Sequence, residues 1–311
     1  MTEEELQERE RILKEREQRL LEVEKNIHRQ ELTFDTSNYV VMANNMLMHS
    51  ASNLSLDELK LLRFIIMQTK KGDQELYEFE LSAKDFAKLL DVNIKTNDLY
   101  KRLRNMVKHL MQEVIYIGDD SQKRWTMFHW VDVCSYGNGK ISIKISDELR
   151  PYLLHLKGNF ARYQLSEIIG FKSTYAIRIY EILKSCINEN NQPHADVSIK
   201  IPVGMDELRN ATGTQDKFTR YSAFKAKVID TALREINEKS QYHVAAAPYK
   251  CGNAVKGFDF LIESQAGYYH RTQSSTDNLK IVPDQEQLEG QKSIWDYETT
   301  KNHFEIEREE Q

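Results

Sequence analysis

The run IPVGMDELRNATGTQDKFTRYSAFKAKVIDTALREINEKSQYHVAAAPYKCGNAVKGFDFLI, residues Ile201–Ile262, decides how the chain is read. A short helix is predicted over Met205–Ala211, stopped at Thr212-Gly213, where glycine can adopt the left-handed backbone that ends helices. A longer helix follows from about Asp216 to Lys239. Its apolar residues Tyr221, Phe224, Val228, Ala232 and Ile236 recur every three or four positions and so share one stripe. Arg220, Lys227 and Arg234 are spaced by seven and stack on the opposite flank, while Lys225 lies at the edge of the stripe, where it could snorkel or bind. Two strands close the unit, Tyr242–Ala246 and Val255–Ile262, around a loop carrying Lys250, Gly252, Asn253 and Lys256. Short helix, tight turn, long basic helix, then a hairpin with a basic tip is the order of a winged helix-turn-helix.

Working outward, the same order recurs upstream. Ser55 with Glu58 forms a capping box that opens a helix to about Thr69, with Leu59, Leu62 and Ile66 inward. Ser82 and Asp85 cap a second helix, Ala83–Leu90. A turn containing Lys95 leads to a third, Asn97 to about Gln112, with Leu99, Leu103, Met106, Val107 and Leu110 inward and Lys101, Arg102, Arg104 and Lys108 on its other faces. Strands are predicted over Val114–Ile117, Trp125–Val133 and Lys140–Ile145, the last two joined by the hairpin signal Tyr136-Gly137-Asn138-Gly139. The helix predicted over Lys172–Ile187 opens the second copy as Ser55–Thr69 opens the first. The expected fold is therefore α+β, with two tandem winged-helix domains, 34–149 and 150–263, divided at Arg150-Pro151.

The flanks differ from this core. Residues 1–33 are expected to form a charged helix, with Leu6, Leu13, Leu20 and Ile27 at a strict seven-residue step. The companion heptad positions are Arg9, Arg16, Val23 and Gln30, so only a weak coiled coil is possible. Residues 264–311 are acidic, with Ile294, Trp295 and Phe304 as scattered apolar exceptions, and are expected to be a largely disordered tail. The chain's net charge of −5 hides a local excess: residues 150–263 hold 16 basic against 12 acidic side chains. Three well-separated cysteines, Cys134, Cys186 and Cys251, point to a reducing cytoplasm rather than a disulfide framework. No apolar run approaches the ~20 residues needed to span a bilayer, and the charged N-terminus does not read as a signal peptide.

No catalytic constellation emerges. The nine histidines are isolated, so the closely spaced pair of a metal-dependent nickase is missing. Gly252 and Gly257 have P-loop spacing, but Phe258 stands where lysine is required. Gly137-Asn138-Gly139 is a lone G-x-G in a hairpin turn, no C-x-x-C occurs, and Asp119-Asp120 reads as an exposed, solvated pair. No metal, cofactor or enzymatic activity is expected.

Three segments carry a resemblance: Asn44–Ile66 (NNMLMHSASNLSLDELKLLRFII), Phe171–Ser185 (FKSTYAIRIYEILKS) and Phe218–Ser240, which ends in E-I-N at Glu235–Asn237. In this order and spacing the chain resembles, over roughly Asn38–Glu263, the iteron-binding initiators of theta-replicating plasmids. The resemblance implies two winged-helix domains that bind tandem repeats of a plasmid origin, help open it, and recruit a host initiator and replicative helicase. It also implies dimers, joined through the first domain, that bind an inverted repeat and repress their own gene. By position it puts Lys217, Thr219, Arg220, Ala223 and Lys227 on the reading face of the second domain, with Lys250 and Lys256 on its wing. Lys95, Lys101, Arg102 and Arg104 become the corresponding contacts of the first. The rival reading is a winged-helix transcription regulator without a replication role.

Overall fold

A computed structural model of the chain describes residues 9, 11–16, 29–31, 35–49, 53–70, 72–90, 96–119, 123–187, 193, 197–252 and 254–274. Near the N-terminus, residues 11–16 are helical (α1), but β1 (Arg29–Glu31) is a strand. The expected helix over 1–33 therefore does not reach its end, and most of the heptad lies outside the described residues. β2 (Tyr39–Ala43) leads into α2 (Asn44–His49).

The capping signals fold as read. Ser55 caps α3 (Leu56–Met67): its hydroxyl accepts the Glu58 N–H (3.4 Å), and the Glu58 carboxylate accepts the Ser55 N–H (2.7 Å). β3 (Glu78–Ser82) ends in Ser82, whose hydroxyl accepts the Asp85 N–H (3.0 Å) at the start of α4 (Ala83–Leu89). α5 (Thr96–Leu110) buries Leu99, Leu103, Met106, Val107 and Leu110, the predicted stripe. Four strands follow: β4 (Val114–Asp119), β5 (Arg124–His129), β6 (Val131–Gly137) and β7 (Lys140–Ile145).

The strand predicted over Trp125–Val133 is thus two. It breaks at Trp130, which is fully buried, and its halves serve different sheets: β5 pairs with β4, and β6 with β7. The first unit's sheet runs β1-β3-β7-β6, with β1 parallel to β3 at one edge. The β6–β7 turn has Asn138 at φ 51° and Gly139 at φ 74°, the positive pair that a two-residue hairpin with right-handed twist requires.

The division at residue 150 needs correcting. Pro151 sits in the first turn of the short helix α6 (Arg150–Leu153), where its missing N–H costs nothing, so the chain runs on. β8 (Phe160–Gln164) then pairs antiparallel with β2, Tyr39 opposite Gln164, which returns this segment to the first unit. After α7 (Ser166–Ile169), α8 (Thr174–Cys186) packs against both units, touching α2 and β8 on one side and helices of the second unit on the other.

A buried ion pair fixes that junction. The Arg63 guanidinium on α3 meets the Glu181 carboxylate on α8 through Nε (2.5 Å) and Nη2 (3.1 Å), and the Tyr163 hydroxyl on β8 donates to the same carboxylate (2.5 Å). Burial works against the Glu181 charge, but Arg63, Arg178 and the Tyr163 hydroxyl together outweigh it and hold the carboxyl below its usual range.

The second unit follows the predicted order. β9 (Ile199–Gly204), β11 (Ala254–Ser264) and β10 (Tyr242–Cys251) form a three-stranded sheet with β11 in the middle. Against it lie α9 (Met205–Thr212), α10 (Tyr221–Phe224), a π-turn over Lys225–Ile229 and α11 (Asp230–Lys239). One more helix, α12 (Gln265–Ser274), corrects the boundary of the disordered tail. The Gln265 amide donates to the Asn237 carbonyl (2.7 Å) and the Tyr242 carbonyl (3.0 Å), which ties α12 to the sheet. The tail expected beyond it, from residue 275, lies outside the described residues.

Candidate nucleic-acid interface

The helix-turn-helix is built from α9, its turn, and the α10–α11 helix. Gly213 takes the left-handed conformation (φ 62°, ψ 39°), and its N–H returns to the Arg209 and Asn210 carbonyls. Behind it, the buried Thr212 hydroxyl donates to the Leu208 carbonyl (2.5 Å) and meets the Thr214 hydroxyl (2.8 Å).

Arg209 then organises the turn. Its guanidinium donates to the carbonyls of Thr214 (2.9 Å), Lys217 (2.9 Å) and Phe218 (3.0 Å), while lying over the Phe224 ring at 4.6 Å. This accounts for the main departure from the sequence reading, which began the long helix at Asp216. An α-helix from there would need the Lys217 and Phe218 carbonyls for its own ladder. Arg209 takes them instead, and Phe218 sits at φ 52°, so the helix starts at Tyr221.

The predicted contact residues are redistributed accordingly. Lys217, Thr219 and Arg220 are exposed on the turn leading into the helix, with Arg220 as its extended N-cap residue. Ala223 is half-buried on α10, and Lys227 is exposed within the π-turn. A π-turn adds a residue to the local turn, so the seven-residue stacking of Arg220, Lys227 and Arg234 does not hold. Lys225 neither snorkels nor stands clear: its ammonium pairs with Asp230 (2.6 Å). Lys217 Nζ reaches Asn53 Oδ1 across the domain junction (3.4 Å).

The wing stands beside this helix start. Lys250 and Lys256 are exposed on either side of the Gly252 turn (φ 61°). The Tyr221 ring stacks on Phe258 (6.0 Å, 17°), which brings the first helical residue to the root of the wing, two residues from Lys256. Gly257 makes that approach possible: a Cβ there would lie 2.2 Å from the Val203 carbonyl oxygen and 2.6 Å from the Tyr249 hydroxyl. Among the described residues, Arg220, Lys227, Lys250 and Lys256 engage no carboxylate. Exposed cations held by a braced turn and an adjoining wing suit a polyanion.

In the first unit, Lys101 and Arg104 are exposed on α5 and the Tyr100 ring meets Tyr136 of the wing (4.8 Å), an arrangement parallel to Tyr221 and Phe258. Arg102 departs from expectation: it is half-buried and pairs with Asp57 in the first turn of α3, so it works within the fold. Lys95 lies outside the described residues. The E-I-N segment also has a structural use. Glu235 accepts the Lys172 N–H (2.6 Å) at the start of α8, and Asn237 exchanges two hydrogen bonds with Val244 of β10 (3.0 and 2.7 Å). Sequence reasoning missed Arg209; the available signal was a basic residue in the last turn of α9, where arginine can reach terminal carbonyls.

Among the described residues no group of three or more histidine, cysteine or acidic side chains is placed to hold a metal, and no helix is long and apolar enough to cross a membrane.

Comparison with known proteins bears directly on this geometry. Residues 39–184 match the initiator replication protein family in its first winged-helix unit, and residues 204–262 match its second. A replication initiation protein from Escherichia coli is 24% identical over 149 residues, covering 48% of this chain and 46% of that protein, so the chain spans about half the length of that relative. A crystal structure of the Pi initiator protein in complex with iteron DNA is similar in fold, with a TM-score of 0.60 at 17% identity over 74% of this chain and 99% of that one.

Proposed function

Because the chain belongs to the initiator replication protein family, we propose that it binds double-stranded DNA at tandem repeats of a plasmid origin and so starts replication there. The observation that carries this reading is the cluster at the start of the recognition helix. Lys217, Thr219 and Arg220 are exposed on the turn braced by Arg209, and Lys256 is exposed on the wing two residues from Phe258, whose ring stacks on Tyr221 at the helix start. A helix in the major groove presents its N-terminal end to base edges, and arginine there can make a paired contact with guanine. Lys250 and Lys256 take phosphate oxygens, as do Lys101 and Arg104 of the first unit.

In this reading the protein is not an enzyme. It acts in the cytoplasm by opening the origin and recruiting a host initiator and helicase, and a homodimer joined through the first unit represses its own gene at an inverted repeat. The test is titration of Arg220→Ala and Lys256→Ala on repeat and scrambled duplexes at several salt concentrations. Arg220→Ala should cost about 1–3 kcal/mol on the repeat and little on scrambled DNA. Lys256→Ala should weaken both and make the salt slope shallower by about one. Equal losses on both duplexes for Arg220→Ala would show that sequence is read elsewhere. Footprints on several direct repeats favour an initiator; a lone palindrome favours a transcription regulator.

A further inference from the structure

In the first unit, helix and sheet leave a groove open between them. Tyr100, Arg104, Lys108 and Met111 step by four, four and three along α5 and its end, so they form one flank of the helix beside its buried stripe. Across a groove of about 550 Å³ that flank faces β6, the edge strand of the sheet β1-β3-β7-β6. Leu103, Val107 and Ile141 form the buried floor. The walls carry apolar surface that the fold leaves in solvent: Tyr100 and Met111 are 39% exposed and Tyr136 is 44% exposed. Arg104 and Lys108 are exposed on the helix side, and among the described residues no acidic side chain lines the groove.

An apolar trough with a cationic wall suits a short segment that carries aromatic and acidic side chains together. A second copy of the fold would bury roughly 800 Å² on each side of a stable interface, whereas this groove has room for only a few side chains. The chain itself contains such a segment. Residues 275–311 hold 10 acidic and 4 basic side chains. Within them only 294–298 set Ile294, Trp295 and Tyr297, three apolar or aromatic residues, beside the two acids Asp296 and Glu298. Residues 275–293 can span roughly 60 Å when extended, against a radius of gyration of about 18 Å for a fold of this size, so the segment can reach the first unit from the end of α12.

We infer that residues 294–298 dock in this groove of their own chain. Ile294, Trp295 and Tyr297 cover the floor and the exposed Met111 and Tyr136, while Asp296 and Glu298 meet Lys108 and Arg104. Tryptophan suits the role of anchor, because it covers much apolar surface with few rotatable bonds. The consequence rests on the proposed function. Arg104 cannot give the same donors to a carboxylate and to a DNA phosphate, so the docked segment competes with the duplex for the first unit.

The experiment uses the full chain and has two arms. In the first, without DNA, Trp295 is replaced by the photo-crosslinker p-benzoylphenylalanine, and the adduct is mapped by mass spectrometry. Docking predicts an adduct in the groove, at Met111 or Tyr136. Its yield should hold on dilution and fall severalfold with Lys108→Glu, a change at an exposed position that leaves the core intact. No adduct, an adduct elsewhere, one that joins two chains and fades on dilution, or a yield that ignores Lys108→Glu overturns the docking. In the second arm, Ile294→Ser with Trp295→Ser, which leaves the net charge unchanged, is titrated with scrambled DNA. Opening the groove should raise affinity by about threefold or more, because apparent affinity scales with the fraction of chains whose site is free. Affinity equal to wild type, despite a groove adduct, overturns the competition with DNA. Failure of the wild type to bind any duplex would instead count against the proposed function, and the first arm would still read the docking.

Discussion

Replacing Arg209 by methionine isolates the brace of the recognition turn, because methionine keeps an unbranched stem over Phe224 and removes only the donors. The guanidinium makes three bonds of 3.0 Å or less to the carbonyls of Thr214, Lys217 and Phe218. A net hydrogen bond contributes roughly 1 kcal/mol, and more when one partner is charged. Water can replace the donors at the exposed Lys217 end of the turn, so the sum is discounted to about 1–2 kcal/mol. That is a factor of roughly 5–30 in the population of the ordered turn. Since Lys217, Thr219 and Arg220 sit on this turn, affinity for the repeat should fall by up to that factor. Scrambled DNA, held by wing lysines that do not depend on the turn, should suffer much less. The assay pairs duplex titrations with amide hydrogen exchange over residues 213–221. If both the exchange rates and the repeat affinity stay at wild-type values, the brace does not position the reading residues.

Other perturbations separate the remaining parts of the structure. Gly257→Ala places a methyl against the Val203 carbonyl and the Tyr249 ring; it should cost about 1–3 kcal/mol or more in thermal unfolding and lower affinity through a displaced wing. Glu181→Gln leaves Arg63 buried without its carboxylate and should destabilise the chain by about 3–5 kcal/mol in denaturant titrations. Because the Glu181 pKa is depressed on folding, its contribution is present above the ordinary glutamate value of ~4.3 and is lost as pH falls through the lower folded value; stability of the wild type and of Glu181→Gln should therefore converge only in that acidic range. Truncation after residue 274 removes 10 acidic and 4 basic side chains while keeping α12, and should strengthen binding to scrambled DNA at low salt, as a filter-binding titration would show.

What could be read from the sequence was local. Ser55 with Glu58, Ser82 with Asp85, Gly213 and Asn138-Gly139 each act within a few residues, and each is where its chemistry put it. The buried faces of α5 and of the α10–α11 helix were legible for the same reason, since helical periodicity is a short-range signal. The misread features depend on distant partners. The late start at Tyr221 follows from a side chain twelve residues upstream, and the break at Trp130 from which sheet each half joins. Arg150-Pro151 has the composition of a linker, and only the pairing of β8 with β2, more than a hundred residues apart, shows that it is not one. At the interface, the exposed basic residues could be picked out, but Arg102 could not be separated from them. Its role is fixed by Asp57, 45 residues earlier.

The shared helix α8 also bears on how such a chain can be inherited in pieces. Its Glu181 faces Arg63 of the first unit, and its first turn is held by Glu235 of the second. A crossover between two related genes at codon 150 would join a β2 from one parent to a β8 and an α8 from the other, and ask residues selected apart to share one ladder and one ion pair. A crossover after Ile187 keeps those partners together and leaves the contacts of α2, α8 and neighbouring residues with the second unit to be matched, among them Lys172 with Glu235, Lys184 with Tyr242 and Asn53 with Lys217. Exchange of repeat specificity between lineages should therefore travel with a segment that begins beyond α8, carrying the turn, the recognition helix and the wing as one heritable unit.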